Sequence, residues 1–282
     1  MARSIMHGMH GRRRSGPGEE FWQYRHYAAG DDAAAIDWRK SARSHKVLVR
    51  ENEWMAANTL WLWAQTDAGM GYRSEMARHG KAHRAALIVL ALAGLAIRGG
   101  ERAGALGAPW RPGHSQRTLE RLFERIDPDA PRVREALPPL AEVARFSTCV
   151  LVGDFFAPLA ELEERIRALA ARGARGHLLQ VVDPAEEAFP FSGRTRFEDF
   201  GSDEAITLGR AEALRDDYRR RLAAHREALE ALCRRIGWTF QVHRTDQPPG
   251  RALMALHGRI EGRMEGRLAS VAANAGLAGG RP

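Results

Sequence analysis

The chain has few cysteines, the residues that build disulfides, iron–sulfur sites and most structural zinc sites. Only two of its 282 residues are cysteines, Cys149 and Cys233, and neither has ligand-like neighbours. Cys149 lies in an apolar run and Cys233 in a helical pattern, so both are predicted to be reduced core residues. The sequence also lacks a Gly-x-x-x-x-Gly-Lys-Ser/Thr phosphate-binding loop and a Gly-x-Ser-x-Gly nucleophile elbow.

Long hydrophobic runs are missing as well. The longest extends from Ala85 to Ile97 and is bracketed by Arg84 and Arg98. A membrane-spanning helix needs about 20 apolar residues, so this run is predicted to be a buried core helix. No export signal is recognised at the start of the chain. The sequence therefore predicts a cytoplasmic protein.

Lysine is scarce: of the 43 basic residues, only Lys40, Lys46 and Lys81 are lysines. The net charge is +8, of which the first 50 residues contribute +5 (ten basic minus five acidic) and the other 232 contribute +3. Residues 1–17 are predicted to be a flexible basic arm; contact with an acidic partner or with phosphates is the alternative. Because an arginine bias also follows from a GC-rich genome, the charge alone does not favour nucleic acid as a partner.

Strand-like and helix-like segments alternate through the middle of the chain. Apolar runs that end in Asp or Gly predict buried strands, and longer periodic segments predict helices. The alternation predicts an α/β fold with a doubly wound, mostly parallel sheet built from right-handed βαβ units. The predicted strands are 58–66, 102–106, 148–152, 177–182 and 238–242, and the predicted helices are 81–98, 116–126, 132–144, 159–171, 211–236 and 250–260.

Three further features accompany this pattern. Phe189 to Leu208 contains short extended pieces separated by turn residues, which predicts an antiparallel hairpin. His225 lies on the apolar stripe of the helix 211–236 and is predicted to be a core-edge histidine rather than a ligand. Residues 263–282 have little to bury and are predicted to be a flexible tail.

The segment from Glu19 to Glu51 intermixes aromatic, acidic and basic residues at close spacing. A core helix or strand would instead separate polar from apolar residues by its periodicity. Trp, Tyr and Arg dominate interface energies, and Arg forms oriented contacts with carboxylates. The segment is therefore predicted to be a binding surface. Its candidate residues are Arg25, Tyr27, Asp31, Asp32, Asp37, Trp38, Arg39, Arg43 and Arg50.

The acids of this segment have two interpretations. Asp31, Asp32 and Asp37 could supply a general acid and base, but nothing in the sequence fixes their spacing. Gly30-Asp31 is an ordinary turn signal. We therefore expect Asp31 or Asp32 to bind turn amides, and Asp37 to pair with a neighbouring arginine: Arg25, Arg39 or Arg43.

The segment also has a distinctive order of residues: Gly18, Glu20-Phe21, Arg25-x-Tyr27, Gly30-Asp31-Asp32, Ile36-Asp37-Trp38, Ser41-Ala42-Arg43 and Val49-Arg50-Glu51. This order resembles the signature of the bacterial domain-of-unknown-function family fifty-eight. Later pieces are similar to the family as well, namely Arg196-Phe197-Glu198-Asp199, Tyr218 and the run from Thr239 to Asp246, so the resemblance covers roughly residues 11–262. The resemblance implies a fold similar to von Willebrand factor A domains and a link with MoxR-type AAA+ ATPases. It divides the chain into a signature segment, 18–56, packed on a main domain, 57–262.

Asp67 and Asp154 each follow a predicted strand. In a doubly wound sheet such positions converge at the carboxyl edge, where ligands bind. The von Willebrand resemblance implies a divalent cation there, held by an Asp-x-Ser-x-Ser loop, a threonine and a second Asp. After Asp67, however, the first hydroxyl belongs to Ser74.

A hard cation takes about six oxygen ligands, so a vestigial site with at most weak Mg²⁺ binding is expected. Ser115 or Thr118 could add an oxygen. In the alternative interpretation, Asp67 and Asp154 cap helices or accept hydrogen bonds from loop amides.

Two functions of different classes follow from these patterns. The first, which we favour, is a non-catalytic module that binds a MoxR-type AAA+ ATPase and a client protein. The second is a divalent-metal-dependent hydrolase or nuclease that uses Asp67, Asp154 and the N-terminal acids. A basic nucleic-acid binder is a third and less favoured option.

Overall fold

The computed structural model describes residues 15–27, 36–43, 46–53, 59–129, 135–198 and 204–261, with the backbone alone at 15–26 and 50–53. The chain divides into two compact units, residues 1–57 and 58–282. The expected tail at 263–282 and the first 14 residues of the expected arm lie outside the described residues.

The described part of the first unit contains an antiparallel pair of strands and one helical turn. Strand β1 (Ser15–His26) pairs with β2 (Leu48–Glu53), and a single turn, α1 (Trp38–Ser41), lies between them in the chain. The hydroxyl of Ser41 accepts the N–H of Leu48 at 2.8 Å, which ties α1 to the start of β2.

The described part of the second unit contains seven strands, and five of them form its central sheet. In chain order these seven are β3 (Thr59–Ala64), β4 (Arg102–Ala105), β5 (Thr148–Gly153), β6 (Arg175–Val182), β7 (Thr195–Glu198), β8 (Ala205–Leu208) and β9 (Thr239–Arg244). The five-stranded sheet has the order β4-β3-β5-β6-β9, and every neighbouring pair in it is parallel. The chain winds from β3 to one edge and then to the other, so β3 and β5 flank the switch point.

Helices cover both faces of this sheet. They are α2 (Lys81–Arg98), α3 (Gln116–Ile126), α4 (Leu159–Ala171), α5 (Pro184–Ala188), α6 (Arg215–Arg235) and α7 (249–261). Successive residues of β3 enter opposite cores: Leu62 packs with α2 and α3, whereas Trp63 packs with α4 and α6. Because both faces are buried, the strand reads as a continuous apolar run.

Most predicted elements are confirmed, including the parallel sheet and the antiparallel β7–β8 hairpin. The helix predicted at 132–144 is wrong, since residues 135–144 contain no helix. Pro138 and Pro139 explain this result: proline lacks the N–H donor of a helix and disfavours the helical conformation of the preceding residue.

Within the described ranges, no helix is both long enough and apolar enough to cross a lipid bilayer.

Candidate functional site at the strand ends

Asp67 and Asp154 lie together at the carboxyl ends of β3 and β5, which are neighbouring parallel strands. Gln65, whose side chain is buried, joins them. Its Nε2 donates to Oδ1 of Asp67 at 2.7 Å and to Oδ1 of Asp154 at 2.8 Å. Its Oε1 accepts the N–H of Phe155 at 3.0 Å, and this bond fixes the orientation of the amide. The amide of Gln65 therefore bridges the two carboxylates.

A glycine makes room for this bridge. A Cβ on Gly153, the last residue of β5, would lie 2.3 Å from Oε1 and 2.7 Å from Cβ of Gln65. The second contact involves the base of the side chain, which cannot swing away freely. Any larger residue at position 153 would thus displace Gln65 from the carboxylates.

Lys81, the first residue of α2, completes the cluster, and sequence analysis did not select it. Its Nζ lies 2.8 Å from Oδ2 of Asp154 and 2.5 Å from Oε1 of Glu186, and its side chain is 1% exposed. The rings of Tyr72 and Phe156 lie 5.9 and 5.4 Å from Nζ, within the range of cation–π attraction. The ammonium is therefore enclosed by two carboxylates and two rings.

The short helix α5 holds Glu186 in place. Asp183 caps this helix, because its Oδ1 accepts the N–H of Ala185 at 2.9 Å. In return, Oε2 of Glu186 accepts the N–H of Asp183 at 2.8 Å, which completes a capping box. The other oxygen of Asp183 accepts the N–H of Ser74 at 2.9 Å. One carboxylate oxygen of Glu186 thus binds the N-terminus of α5, and the other binds Lys81.

The electrostatics of the cluster follow from burial and from this ion pairing. Burial works to lower the pKa of Lys81, but the charges of Asp154 and Glu186 outweigh it and the pKa is raised. Burial raises the pKa of Glu186 against the opposing effect of Lys81. Burial, together with the nearby charge of Asp154, also raises the pKa of Asp67. Lys81 therefore stays charged at neutral pH.

These residues do not fit a divalent cation of the von Willebrand type. Both oxygens of Asp154 are engaged, Oδ2 by Lys81 and Oδ1 by Gln65 and the N–H of Phe156. A metal ion would have to displace a buried ammonium that already carries the positive charge. No set of three His, Cys, Asp or Glu side chains in the described part of the chain has metal-site geometry.

The two hydroxyls proposed as extra ligands, and that of Ser74, which is the first after Asp67, form other contacts. Oγ1 of Thr118 lies 3.3 Å from Oγ of Ser115 at the start of α3. Oγ of Ser74 accepts the N–H of Met76 at 3.3 Å. Asp154 instead accepts a loop amide, that of Phe156 at 3.2 Å, as the alternative interpretation of the sequence expected.

A separate cleft of about 360 Å³ opens beside β3 and α3. Glu135 is one of its polar lining residues, and both of its carboxylate oxygens accept hydrogen bonds. Oε2 accepts the indole N–H of Trp63 at 3.1 Å, and Oε1 accepts a guanidinium N–H of Arg125 at 2.6 Å. Glu135 is thus held as a structural link between β3 and α3.

In the first unit, several candidate binding residues are exposed. Trp38 is 65% exposed and Tyr27 is 43% exposed, and Arg39 and Arg43 are exposed as well. Asp37 precedes α1 and caps it, because its Oδ1 accepts the N–H of Lys40 at 2.9 Å. The pairing of Asp37 with an arginine stays a prediction.

The remaining candidates are placed only in part. Arg25 pairs with Val49 in the β1–β2 ladder, and Arg50 pairs with Tyr24. Asp31 and Asp32 lie outside the described residues.

The residues that sequence analysis missed left two readable signals. Asp183-Pro184-Ala185-Glu186 has the spacing of a capping box, which marks Glu186 as part of a helix start. Lys81 is one of only three lysines and begins a helix, where the helix dipole disfavours a cation. A lysine in that position indicates an acidic partner. Gln65 gave no signal, because a glutamine at the end of an apolar strand is unremarkable by itself.

Comparison with known proteins assigns the chain to a family. The family model described as "Protein of unknown function DUF58" matches residues 23–228. The chain belongs to the DUF58 family. The family expected from the signature is therefore confirmed.

Relatives of this DUF58 chain include uncharacterized proteins of Mycobacterium tuberculosis and Mycobacterium bovis. Each is 30% identical over 260 residues, which is 86% of this chain and 80% of the relative. Two solved structures are similar in part. Conserved hypothetical protein BatB from Bacteroides thetaiotaomicron has a TM-score of 0.43 at 11% identity, covering 74% of this chain and 99% of that one. An aerotolerance-related membrane protein from Bacteroides fragilis has a TM-score of 0.41 at 12% identity, covering 72% and 98%.

Proposed function

We propose that this DUF58 protein is a non-catalytic interaction module of the cytoplasm. In this proposal, a von Willebrand factor A-like platform binds a MoxR-type AAA+ ATPase and helps to assemble or activate a client protein. The observation that carries the proposal is the exposure of Trp38, 65% of whose surface is open to solvent in the family signature segment. A large indole left in water is typical of an interface anchor.

The exposed residues of the signature segment indicate the chemistry of the partner. We define the docking face as Tyr27, Trp38, Arg39 and Arg43, all of which are exposed. The rings supply apolar area, and the guanidinium groups favour bidentate contacts with carboxylates. The face therefore suits a groove on the ATPase that combines an apolar pocket with acidic side chains at its rim.

The strand-end site, which consists of Gln65, Asp67, Lys81, Asp154 and Glu186, supports a role without catalysis through two of its acids. The carboxylate of Asp154 is held by Lys81 and Gln65, and the two oxygens of Glu186 are held by Lys81 and the cap of α5. A general base needs a lone pair that can reach a substrate proton. Acids bound in this way stabilise the loops of the site.

A binding experiment with the purified ATPase tests this function. We expect Trp38→Ala and the double variant Arg39→Ala/Arg43→Ala each to weaken binding at least tenfold, as loss of interface anchors does. Matched controls on α7 are Met254→Ala, which removes an apolar side chain that is 63% exposed, and Arg251→Ala, which removes an exposed arginine. Asp37→Ala is less informative, because it also removes the cap of α1.

The outcomes of this experiment are distinct. Weaker binding by the docking-face variants, with unchanged binding by the controls, supports the proposal. Unchanged binding by Trp38→Ala and Arg39→Ala/Arg43→Ala would remove the docking face from the interface. Failure of the wild-type chain to bind the ATPase would overturn the proposed partner.

The second candidate, a metal-dependent hydrolase or nuclease, is favoured by one observation: Asp67 and Asp154 do lie together, joined by Gln65. It requires a divalent ion to replace Lys81 as the cation beside Asp154. Calorimetric titration with Mg²⁺ or Mn²⁺ distinguishes the two functions, because the hydrolase requires saturable binding that Asp67→Asn weakens.

A further inference from the structure

We propose that the ammonium of Lys81 is the resident cation of the strand-end site, so that a fixed side chain replaces the divalent ion of a von Willebrand factor A-like site. The protein then holds its loops at this edge in one arrangement, whatever divalent ions are present.

The geometry of the site carries this proposal. Nζ of Lys81 contacts one oxygen of Asp154 at 2.8 Å, while the other oxygen faces Gln65 and, through it, Asp67. A cation at the carboxyl ends of β3 and β5 would lie in this same place, because that is where the two aspartates converge. The side chains of Lys81 and Asp154 are 1% and 3% exposed, so the positive charge is part of the core.

The charge balance points the same way. Lys81 contacts two acids, Asp154 and Glu186, and Asp67 is joined to Asp154 through a single amide group. The site therefore contains three carboxyl groups and one ammonium group. Removal of the ammonium would leave buried carboxylates without a counter-charge, and such a cluster either takes up protons or binds a cation. The site should therefore acquire affinity for a divalent ion only when Lys81 is replaced.

The resident cation also connects three parts of the fold. Lys81 begins α2, Asp154 follows β5, and Glu186 belongs to α5. The rings of Tyr72 and Phe156 flank the ammonium and separate it from solvent. A partner's carboxylate therefore has no metal to coordinate at this edge, and binding of a partner there should be insensitive to chelators.

Thermal unfolding of the full-length chain tests the proposal without any partner, so its outcome is separate from that of the ATPase experiment. The proteins are wild type, Lys81→Ala and Lys81→Gln. Each is measured in EDTA and in millimolar Mg²⁺, Mn²⁺ or Ca²⁺. Lys81→Gln keeps most of the side chain and a hydrogen-bond donor but removes the charge, so it serves if the alanine variant is too unstable.

We expect the midpoint of wild-type unfolding to be the same in EDTA and in each ion. The variants should melt roughly 10 °C lower in EDTA, because an uncompensated buried acid destabilises the fold. A divalent ion should restore several degrees to them, since it binds the folded state alone. The control Lys81→Ala/Asp154→Asn lacks the central acid of the site and keeps only Glu186 and Asp67, so its ion response should be clearly smaller.

Three results would overturn the proposal. The first is saturable stabilisation of the wild type by a divalent ion that Asp154→Asn abolishes. The second is a folded Lys81 variant whose midpoint no ion raises. The third is that neither variant folds in the presence of any of the ions. The proposal requires that a divalent ion can compensate the charge of the acids that have lost Lys81.

Discussion

Nζ of Lys81 lies 2.8 Å from Oδ2 of Asp154, although the two residues are 73 positions apart in the chain. This contact joins the first residue of α2 to the end of β5 at the switch point of the sheet. A cation at a helix N-terminus is disfavoured by the helix dipole, so the buried acids must more than compensate for it. The pair is therefore a specific feature of the site.

A double-mutant cycle measures this coupling. We expect Lys81→Met to lower the free energy of unfolding by about 3–5 kcal/mol, because it leaves Asp154 and Glu186 without a counter-charge. Asp154→Asn should lower it by about 1–3 kcal/mol, because Glu186 still pairs with Lys81. The double variant should lose clearly less than the sum of the two. Urea unfolding at neutral pH gives all three values. Additive losses would contradict a direct interaction.

Replacement of Gly153 should disrupt the site through Gln65. A Cβ at this position lies 2.3 Å from Oε1 of Gln65, so Gly153→Ala is expected to lower the free energy of unfolding by about 1–3 kcal/mol. The matched control is Gly209→Ala, because a Cβ there meets nothing within 4 Å and φ is not positive. Urea unfolding of the two variants is the measurement. Equal free energies of unfolding would contradict the prediction, because they would show that Gln65 can move away from position 153 without destabilising the fold.

His243 should make the fold sensitive to mild acid. It is 3% exposed, and burial, with the charge of Arg84 adding to it, lowers its pKa from 6.5 to about 4. Between these values the unfolded chain binds a proton that the folded chain does not. Stability contributed by His243 is therefore full above pH 6.5 and is lost as the pH falls toward 4.

The size of this effect is on the order of 3 kcal/mol across the window. Unfolding in urea at several pH values measures it, and His243→Gln serves as the control that cannot titrate. We expect the stability of the wild type to fall more steeply with acid than that of the variant. If the free energies of unfolding of the two proteins change with pH in parallel, the pKa of His243 is the same in the folded and the unfolded chain, which would contradict the prediction.

Both cysteines should be inert in the folded chain. Cys149 and Cys233 are 0% and 1% exposed, and burial raises the pKa of each thiol to about 12. Because the thiolate is the reactive form, iodoacetamide should label neither residue in the native protein and both in urea. Mass spectrometry after brief labelling measures this, and rapid labelling of the native chain would contradict the burial.

The elements with strong local signals could be predicted from the sequence. Helix α2 ends before Gly99-Gly100, and α4 ends just before Gly173, whose φ of +79° suits glycine. The five strands follow from short apolar runs that end in polar or turn residues. The wrong helix at 132–144 came from its periodic spacing, which two adjacent prolines override.

The candidate site was predictable only in part. Asp67 and Asp154 follow from the rule that parallel strands end at one edge. Lys81 and Glu186 do not follow from it, because they are 105 residues apart and meet only after α2 and α5 have packed. Gln65 depends on the absence of a side chain at Gly153, which no spacing rule reveals. Local signals thus predict the frame of the site, and its charge balance requires tertiary contacts.

Anomalous diffraction from crystals of the wild-type protein soaked in Mn²⁺ tests the central claim most directly. We predict no manganese peak at the ends of β3 and β5, and electron density for Lys81 that reaches Asp154 and Glu186. A manganese peak coordinated by Asp67 and Asp154, with Lys81 turned away, would contradict the account.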